Sequence, residues 1–171
     1  MSARAAWRLE SLSFSQVHRY TAGEADWFAA GLPIEGKLAS VPRAQDVARR
    51  DVPTCGLSDQ VGAVHERVRA AGWDQCIVVN DQRVVLGRLC ATELGADNTV
   101  RVETIMESGP TTIRPDTMLE PLTKRMQQPR VESIVVSTSD GQLVGVLYRV
   151  DAEQAVAGVQ AATEAGGSEQ T

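Results

Sequence analysis

Moved along itself by 58 residues, this chain meets its own pattern without a gap, so that positions 54–94 fall on 112–152. Thr54 lands on Thr112, Arg67 on Arg125, Val78 on Val136, Gly87 on Gly145 and Leu89 on Leu147. The apolar set Val61, Val64, Val68 lands on Leu119, Leu122, Met126. Steps of three and four describe one face of a helix. Next, "CIVV" falls on "IVVS", each a short run of strand length in β-favouring residues. "NDQR" falls on "TSDG", a turn in both copies, with Asp140-Gly141 the stronger hairpin signal. A second strand, "VVLGRL" on "QLVGVL", then leads into a short helix. Each copy therefore reads strand, helix, strand, turn, strand, helix. A further short helix precedes each, since "QDVARRDVPT" falls on "ETIMESGPTT". One such unit buries little apolar surface alone, so the two are expected to pack against each other.

Composition narrows the class. The 171 residues are 43% hydrophobic and 23% charged, ordinary for a soluble globular protein. Nowhere do about eighteen apolar residues run together, so no membrane span is expected. The opening "MSARAAWRLE" lacks the apolar core of a secretory signal. Cys55, Cys76 and Cys90 are too scattered for a disulfide framework or a zinc site. A cytoplasmic protein with free thiols is the expectation. The net charge of −5 is uneven: residues 1–50 carry seven Lys/Arg against five Asp/Glu, and the rest ten against seventeen. That balance argues against nucleic acid, which requires a basic face.

The two openings, the "VVNDQRVVLGRL" and "VVSTSDGQLVGVL" hairpins and the glycine ending each hairpin resemble a tandem pair of CBS domains, often called a Bateman module. The resemblance covers roughly residues 44–155. It implies a mixed α+β / α/β fold, two β-α-β-β-α units packed with pseudo-two-fold symmetry, preceded by a short N-terminal α/β extension. The units span 44–98 and 101–158, with an extension over 1–40 and a polar tail over 159–171 that should fray. In that family the clefts between units often hold adenosine nucleotides or related adenosyl compounds, and pairs usually dimerise.

The family's ligand motif is a glycine, an apolar residue, any residue, Thr/Ser, two more, then Asp. Its hydroxyl and helix start would receive phosphate, because free N–H groups and the positive helix end favour an anion. Its aspartate would accept the ribose hydroxyls. By resemblance, the second copy gives Gly145, Tyr148 where a small hydroxyl is expected, and Asp151. Arg149, at the helix start, can pair with phosphate through its planar fork. Thr112 opens the copy, and Ile113 after it would touch adenine through its backbone. Tyr148 has three readings: it offers its O–H, stacks on a base, or fills the cleft. The first copy gives Gly87, then Cys90 and Glu93, with Thr54 and Cys55 at its opening. A thiol donates weakly, so this is the weaker cleft.

Blander readings stand beside these. Asp151 in a first helical turn complements the helix dipole by roughly 0.3–1 kcal/mol without any ligand. Thr54 and Thr112 are common strand residues. Arg67 and Arg125 lie beside the apolar stripe and read as solvated, although Lys124, Arg125 and Arg130 can face a phosphate. His18 and His65 stand alone, without a ligand cluster for a metal. Cys76 reads as an inert core thiol, whereas the helix-start position of Cys90 suggests a lowered pKa. No nucleophile–base pair, P-loop or dinucleotide fingerprint is present.

The first forty residues lie outside the repeat. Ala5, Leu9 and Leu12 suggest an amphipathic helix, "QVHRY" a short strand, and "EADWFAAG" another helix stopped by Gly31. This stretch resembles the C-terminal end of a rhodanese-like domain, in "A-x-RL-x-x-L-x-F" before a strand and "W-x-A-x-GLP" after it. The catalytic cysteine of that family opens a loop upstream of this segment, and sulfur transfer is therefore not expected here. Trp7, Phe14, Trp27 and Phe28 should be buried, against the CBS pair or, by preference, a second subunit.

The function expected from sequence is a non-enzymatic, ligand-sensing module. It needs no cofactor, forms a homodimer, and binds AMP, ADP, ATP or an S-adenosylmethionine-class compound near Asp151, with the change read by an unknown partner protein. The first alternative is a structural interaction module whose clefts are filled by side chains, and the remote one is a thiol-redox or sulfur activity.

Overall fold

The computed structural model describes residues 2–21, 23–30, 32–36, 41–127 and 131–166. Two short helices, α1 (Ser2–Ser11) and α2 (Glu24–Ala29), come first. Then α3 (Ala44–Val47) leads into the first copy: β1 (Thr54–Cys55), α4 (Val61–Ala70), β2 (Cys76–Val79), β3 (Val85–Leu89) and α5 (Ala91–Leu94). Next, α6 (Val102–Ile105) and β4 (Glu107–Ser108) lead into the second: β5 (Thr112–Ile113), α7 (Leu119–Met126), β6 (Ser133–Ser137), β7 (Leu143–Tyr148) and α8 (Arg149–Gly166). Apart from β4, which the repeat does not predict, the element order is the expected one.

Register repeats as well as order. In both sheets the first strand runs parallel to the second and the second antiparallel to the third. Thr54 pairs with Ile77, and 58 residues on, Thr112 pairs with Val135. The pairing slips at Val78/Val79 and again at Val136/Ser137, the same place in each copy. Both hairpin turns use a left-handed residue, Arg83 at φ 60° and Gly141 at φ 80°. Arg83 tolerates it inside a turn where the Asn80 side chain accepts the N–H groups of Gln82 and Val84. The two turns bind each other symmetrically: Leu143 N–H donates to the Arg83 carbonyl (2.9 Å) and Val85 N–H to that of Gly141 (3.0 Å).

The central strand of each sheet, β2 and β6, is buried on both faces, which explains its continuous apolar run. Val61, Val64 and Val68 of α4 pack on Cys76, Val78 and Leu89. Leu119, Leu122 and Met126 of α7 pack on Val136 and Leu147. Between the sheets lies a third cluster in which Ile77 and Val135, repeat partners, join Val52, Leu143 and Val146.

The helices that precede the copies are exchanged. Ala44 and Ala48, ahead of the first copy, belong to the core of the second. Val102, ahead of the second, belongs to the core of the first. The chain beyond each helix follows: β4 pairs with β3, and Arg49 bridges Val146 of β7. The packing units are therefore offset from the covalent units 44–98 and 101–158.

The N-terminal expectations fare differently. Both helices are present, but residues 16–20 form no strand. Arg19 and Tyr20 lead instead into a contact in which the Tyr20 hydroxyl donates to Asp26 and its ring meets Trp27 edge-on at 5.3 Å. Trp27 is half-buried, donating to the Pro33 carbonyl at 2.8 Å. Trp7 and Phe14, in contrast, are 66% and 59% exposed, and Leu9 and Leu12 also face outward, so within one chain these side chains are not buried. Helix α8 runs on to Gly166, into the stretch expected as a polar tail. Residues 167–171, Gly31, Arg130 and the Phe28 side chain lie outside the described residues.

Candidate functional site

The cleft beside Asp151 is built from both copies. Where β7 ends and α8 begins, Tyr148 and Asp151 project from the second copy. The segment exchanged from the first lies against β7: Arg49 and Val146 trade backbone hydrogen bonds, both 2.9 Å. Gly145 makes that approach possible, since a Cβ there would stand 2.5 Å from the Arg49 carbonyl oxygen. Gly87 does the same for Met106 and Glu107, at 2.7 and 2.9 Å. Backbone packing thus accounts for the glycine that the resemblance placed in the ligand motif.

Seated this way, Arg49 grips Asp151 with two prongs, Nε to Oδ2 at 2.7 Å and Nη2 to Oδ1 at 3.0 Å. Its guanidinium lies 4.7 Å from the centre of the Tyr148 ring, a cation–π contact. The bond to Asp151 holds the Arg49 guanidinium above its ordinary value, so it stays charged. The Tyr148 hydroxyl donates to Asp74 and accepts from Gln75 Nε2 at 3.0 Å. Gln75 also donates to its repeat partner Ser133 at 3.1 Å. Trp73 closes the group, its ring 5.9 Å from that of Tyr148. Burial, then the bond to Asp74, pushes the Tyr148 phenol up to about 12, so it is a neutral donor. Arg49, Trp73, Asp74, Tyr148 and Asp151, with Asp51 and Gly72, line a cavity of about 520 Å³, within the range of small-molecule sites.

A second cavity, of about 560 Å³, adjoins it. Its wall contains repeat partners in pairs, Asp74 with Glu132, Gln75 with Ser133, Cys90 with Tyr148 and Ala91 with Arg149, so it sits on the pseudo-two-fold axis. Arg88 and Arg149 bring positive charge to it. Each also has an acidic neighbour, Glu107 at 2.6 Å from Arg88 and Glu153 at 3.3 Å from Arg149. Tyr148, Asp74 and Val150 line both cavities.

The sequence grouped Asp151, Arg149 and Thr112, and the fold distributes them. Asp151 lines one cavity and Arg149 the other, with Tyr148 between. Thr112 is exposed on β5, and Ile113 belongs to the core of the second unit; neither lines the Asp151 cleft. In the weaker half, Thr54 is half-buried on β1 and Cys55 sits in the first core. The Glu93 carboxylate accepts the Cys90 backbone N–H at 2.9 Å and so caps its own helix. Cys90 lines the axial cavity, but burial pushes its thiol up, overriding the helix-start effect that suggested a reactive thiolate. The Cys55 sulfur and burial raise Cys76 in the same direction. Among the described residues no cluster of His, Cys, Asp or Glu has the makings of a metal site.

Arg49, Asp51, Trp73 and Asp74 are charged and aromatic cleft residues that sequence reasoning missed. Trp73-Asp74, one residue ahead of the "CIVV" strand, carried a readable signal, an aromatic and an acid at a helix–strand junction. Arg49 carried none, because only the exchange of segments brings it to Asp151.

Residues 102–158 match the family model described as "CBS domain". No curated protein matches the chain. Among solved structures, the CBS domains of a transcriptional regulator from Streptococcus pneumoniae are similar at 19% identity and a TM-score of 0.61, over 67% of this chain and 98% of that one. CBSX2, a CBS-pair protein from Arabidopsis thaliana solved in complex with AMP, is similar at 20% identity and a TM-score of 0.62, over 69% and 98%. The cytosolic domain of the Mg2+ channel MgtE, in complex with ATP, is similar at 23% and 0.61, over 68% of this chain and only 50% of that one. The fold is that of a tandem CBS pair. These matches carry the CBS assignment and not the rhodanese likeness of the first forty residues.

Proposed function

We propose that this protein is a regulatory, non-enzymatic CBS pair that senses an adenosyl compound, of the AMP/ADP/ATP or S-adenosylmethionine class, in the cleft beside Asp151. The observation that carries this reading is the Arg49–Asp151 grip at the edge of a cavity of about 520 Å³. A carboxylate offers about four acceptor positions, and a two-pronged arginine takes two of them. Arg49 therefore fixes Asp151 while leaving one position on each oxygen for the two ribose hydroxyls. Trp73 supplies an aromatic face for the base, a contact that tolerates any flat heterocycle. Solved CBS pairs of similar fold hold AMP and ATP, which supports the class.

The output follows from where Arg49 sits. It lies on the segment joining the N-terminal extension to the first copy, while Asp151 begins α8 of the second. A ligand bound to Asp151 and Trp73 ties the two copies together and favours the arrangement in which Arg49 is held. A partner protein in the cytoplasm then reads that arrangement, and a homodimer formed through Trp7 and Phe14 presents it twice.

Calorimetric titration of the full chain with AMP, ADP, ATP and S-adenosylmethionine tests the reading. Heat with at least one compound, lost in Asp151→Ala, is the expected result; silence with all of them contradicts it. The rival, a structural module with filled clefts, draws on the anchoring of Tyr148 to Asp74 and Gln75. That side chain fills the boundary between the cavities and leaves the cleft itself open.

A further inference from the structure

We infer that Tyr148 is a specificity-determining partition, which confines the Asp151 cleft to adenosyl compounds whose tail is uncharged or cationic and bars phosphorylated ones. The inference rests on the adenosyl reading above and narrows it.

Charge is the first argument. The cleft is lined by three carboxylates, Asp51, Asp74 and Asp151, and by one cation, Arg49. Asp151 already matches the charge of Arg49 through two hydrogen bonds. Asp51 and Asp74, both exposed, remain in excess, and a phosphate placed there meets like charge. A neutral nucleoside avoids that repulsion, and a sulfonium or ammonium tail gains from it.

Position is the second argument. Two further arginines, Arg88 and Arg149, face the axial cavity on the far side of Tyr148, each beside its own glutamate, with the looser pair, 3.3 Å, at Arg149. Tyr148 is held at both ends: its hydroxyl by Asp74 and Gln75, its ring by Trp73 and the Arg49 guanidinium. A side chain so anchored does not swing aside at low cost. With a small hydroxyl in its place, the two cavities would join, and a nucleotide tail could pass from Asp151 to Arg149.

The test titrates the full chain with adenosine, S-adenosylmethionine, AMP and ATP. The wild type is expected to bind adenosine or S-adenosylmethionine at least about tenfold more tightly than AMP or ATP, a gap of about 1.4 kcal/mol. Tyr148→Phe, which keeps the ring, is expected to preserve that order. Tyr148→Ser is expected to bring AMP level with adenosine or ahead of it, and adding Arg149→Ala to remove the gain. AMP or ATP binding the wild type as tightly as adenosine overturns the partition and leaves the adenosyl reading standing. Binding of none of the four overturns both. The wild-type order is decisive even if Tyr148→Ser does not fold.

Discussion

Arg49 and Asp151 are 102 residues apart in the chain, yet they meet through two hydrogen bonds of 2.7 and 3.0 Å. Arg49 belongs to the segment leading into the first copy, and Asp151 to the first turn of the helix that ends the second. Their meeting depends on the exchange of segments between the copies, so this one contact ties the symmetry of the fold to the chemistry of the cleft.

Removing the grip separates binding from stability. The Arg49 side chain is 51% exposed, and pairs of that kind contribute about 0.2–1 kcal/mol to folding. Arg49→Ala is therefore expected to move the urea midpoint little while weakening adenosyl binding about tenfold, a loss of about 1.4 kcal/mol, by freeing Asp151 to turn. Arg49→Lys should not restore affinity, because an ammonium cannot reproduce the two-pronged geometry. Calorimetry and urea unfolding on the same variants measure both effects.

The two repeat-partner glycines should respond unequally to alanine. At Gly145 the new methyl meets a backbone carbonyl at 2.5 Å, which cannot move without shifting the exchanged segment. At Gly87 the nearest atom is the flexible Met106 sulfur, with the Glu107 carbonyl next at 2.9 Å. Gly145→Ala is expected to cost about 1–3 kcal/mol, as overpacking does, and Gly87→Ala less. Equal costs in chemical denaturation would speak against the arrangement at β7.

The pH dependence has a defined sign. The Tyr148 phenol is raised from 10.0 to about 12, so between those values the folded state keeps a proton that the unfolded state has lost. Stability should thus be independent of this group below pH 10 and fall as pH rises toward 12. The loss should be smaller in Tyr148→Phe. Tyr20, the other tyrosine, is also raised, by its bond to Asp26, and the Phe variant separates the two. Phenolate absorbance followed against pH, with the unfolding free energy measured in parallel, reads this directly.

Trp7 and Phe14, exposed in the single chain, are proposed to be covered in a homodimer. Sedimentation should find a dimer for the full chain, and Trp7→Asp with Phe14→Asp should shift it to monomer without loss of helix content. A monomeric wild type would end that proposal.

Much of this was legible in sequence because it is local or periodic. The stripes Val61-Val64-Val68 and Leu119-Leu122-Met126 mark their helices by spacing alone, and "CIVV" and "IVVS" mark strands buried on both faces. The exchange of α3 and α6 was not legible, since "QDVA" and "VETI" read as short helices whichever core receives them. Arg49 escaped notice for the same reason. Sequence left three readings of Tyr148 open, because the direction of its side chain is set by Asp74 and Gln75, more than seventy residues earlier. The strand expected over "QVHRY" failed because those residues have no neighbouring strand to pair with among the described residues.

The most direct test of the central claim is a crystal structure of the full chain grown with adenosine. The account predicts density in the cleft lined by Trp73 and Asp151, with both ribose hydroxyls in hydrogen-bond reach of the Asp151 carboxylate and Arg49 still gripping it. An empty cleft at saturating adenosine, or a ligand seated elsewhere, would contradict it.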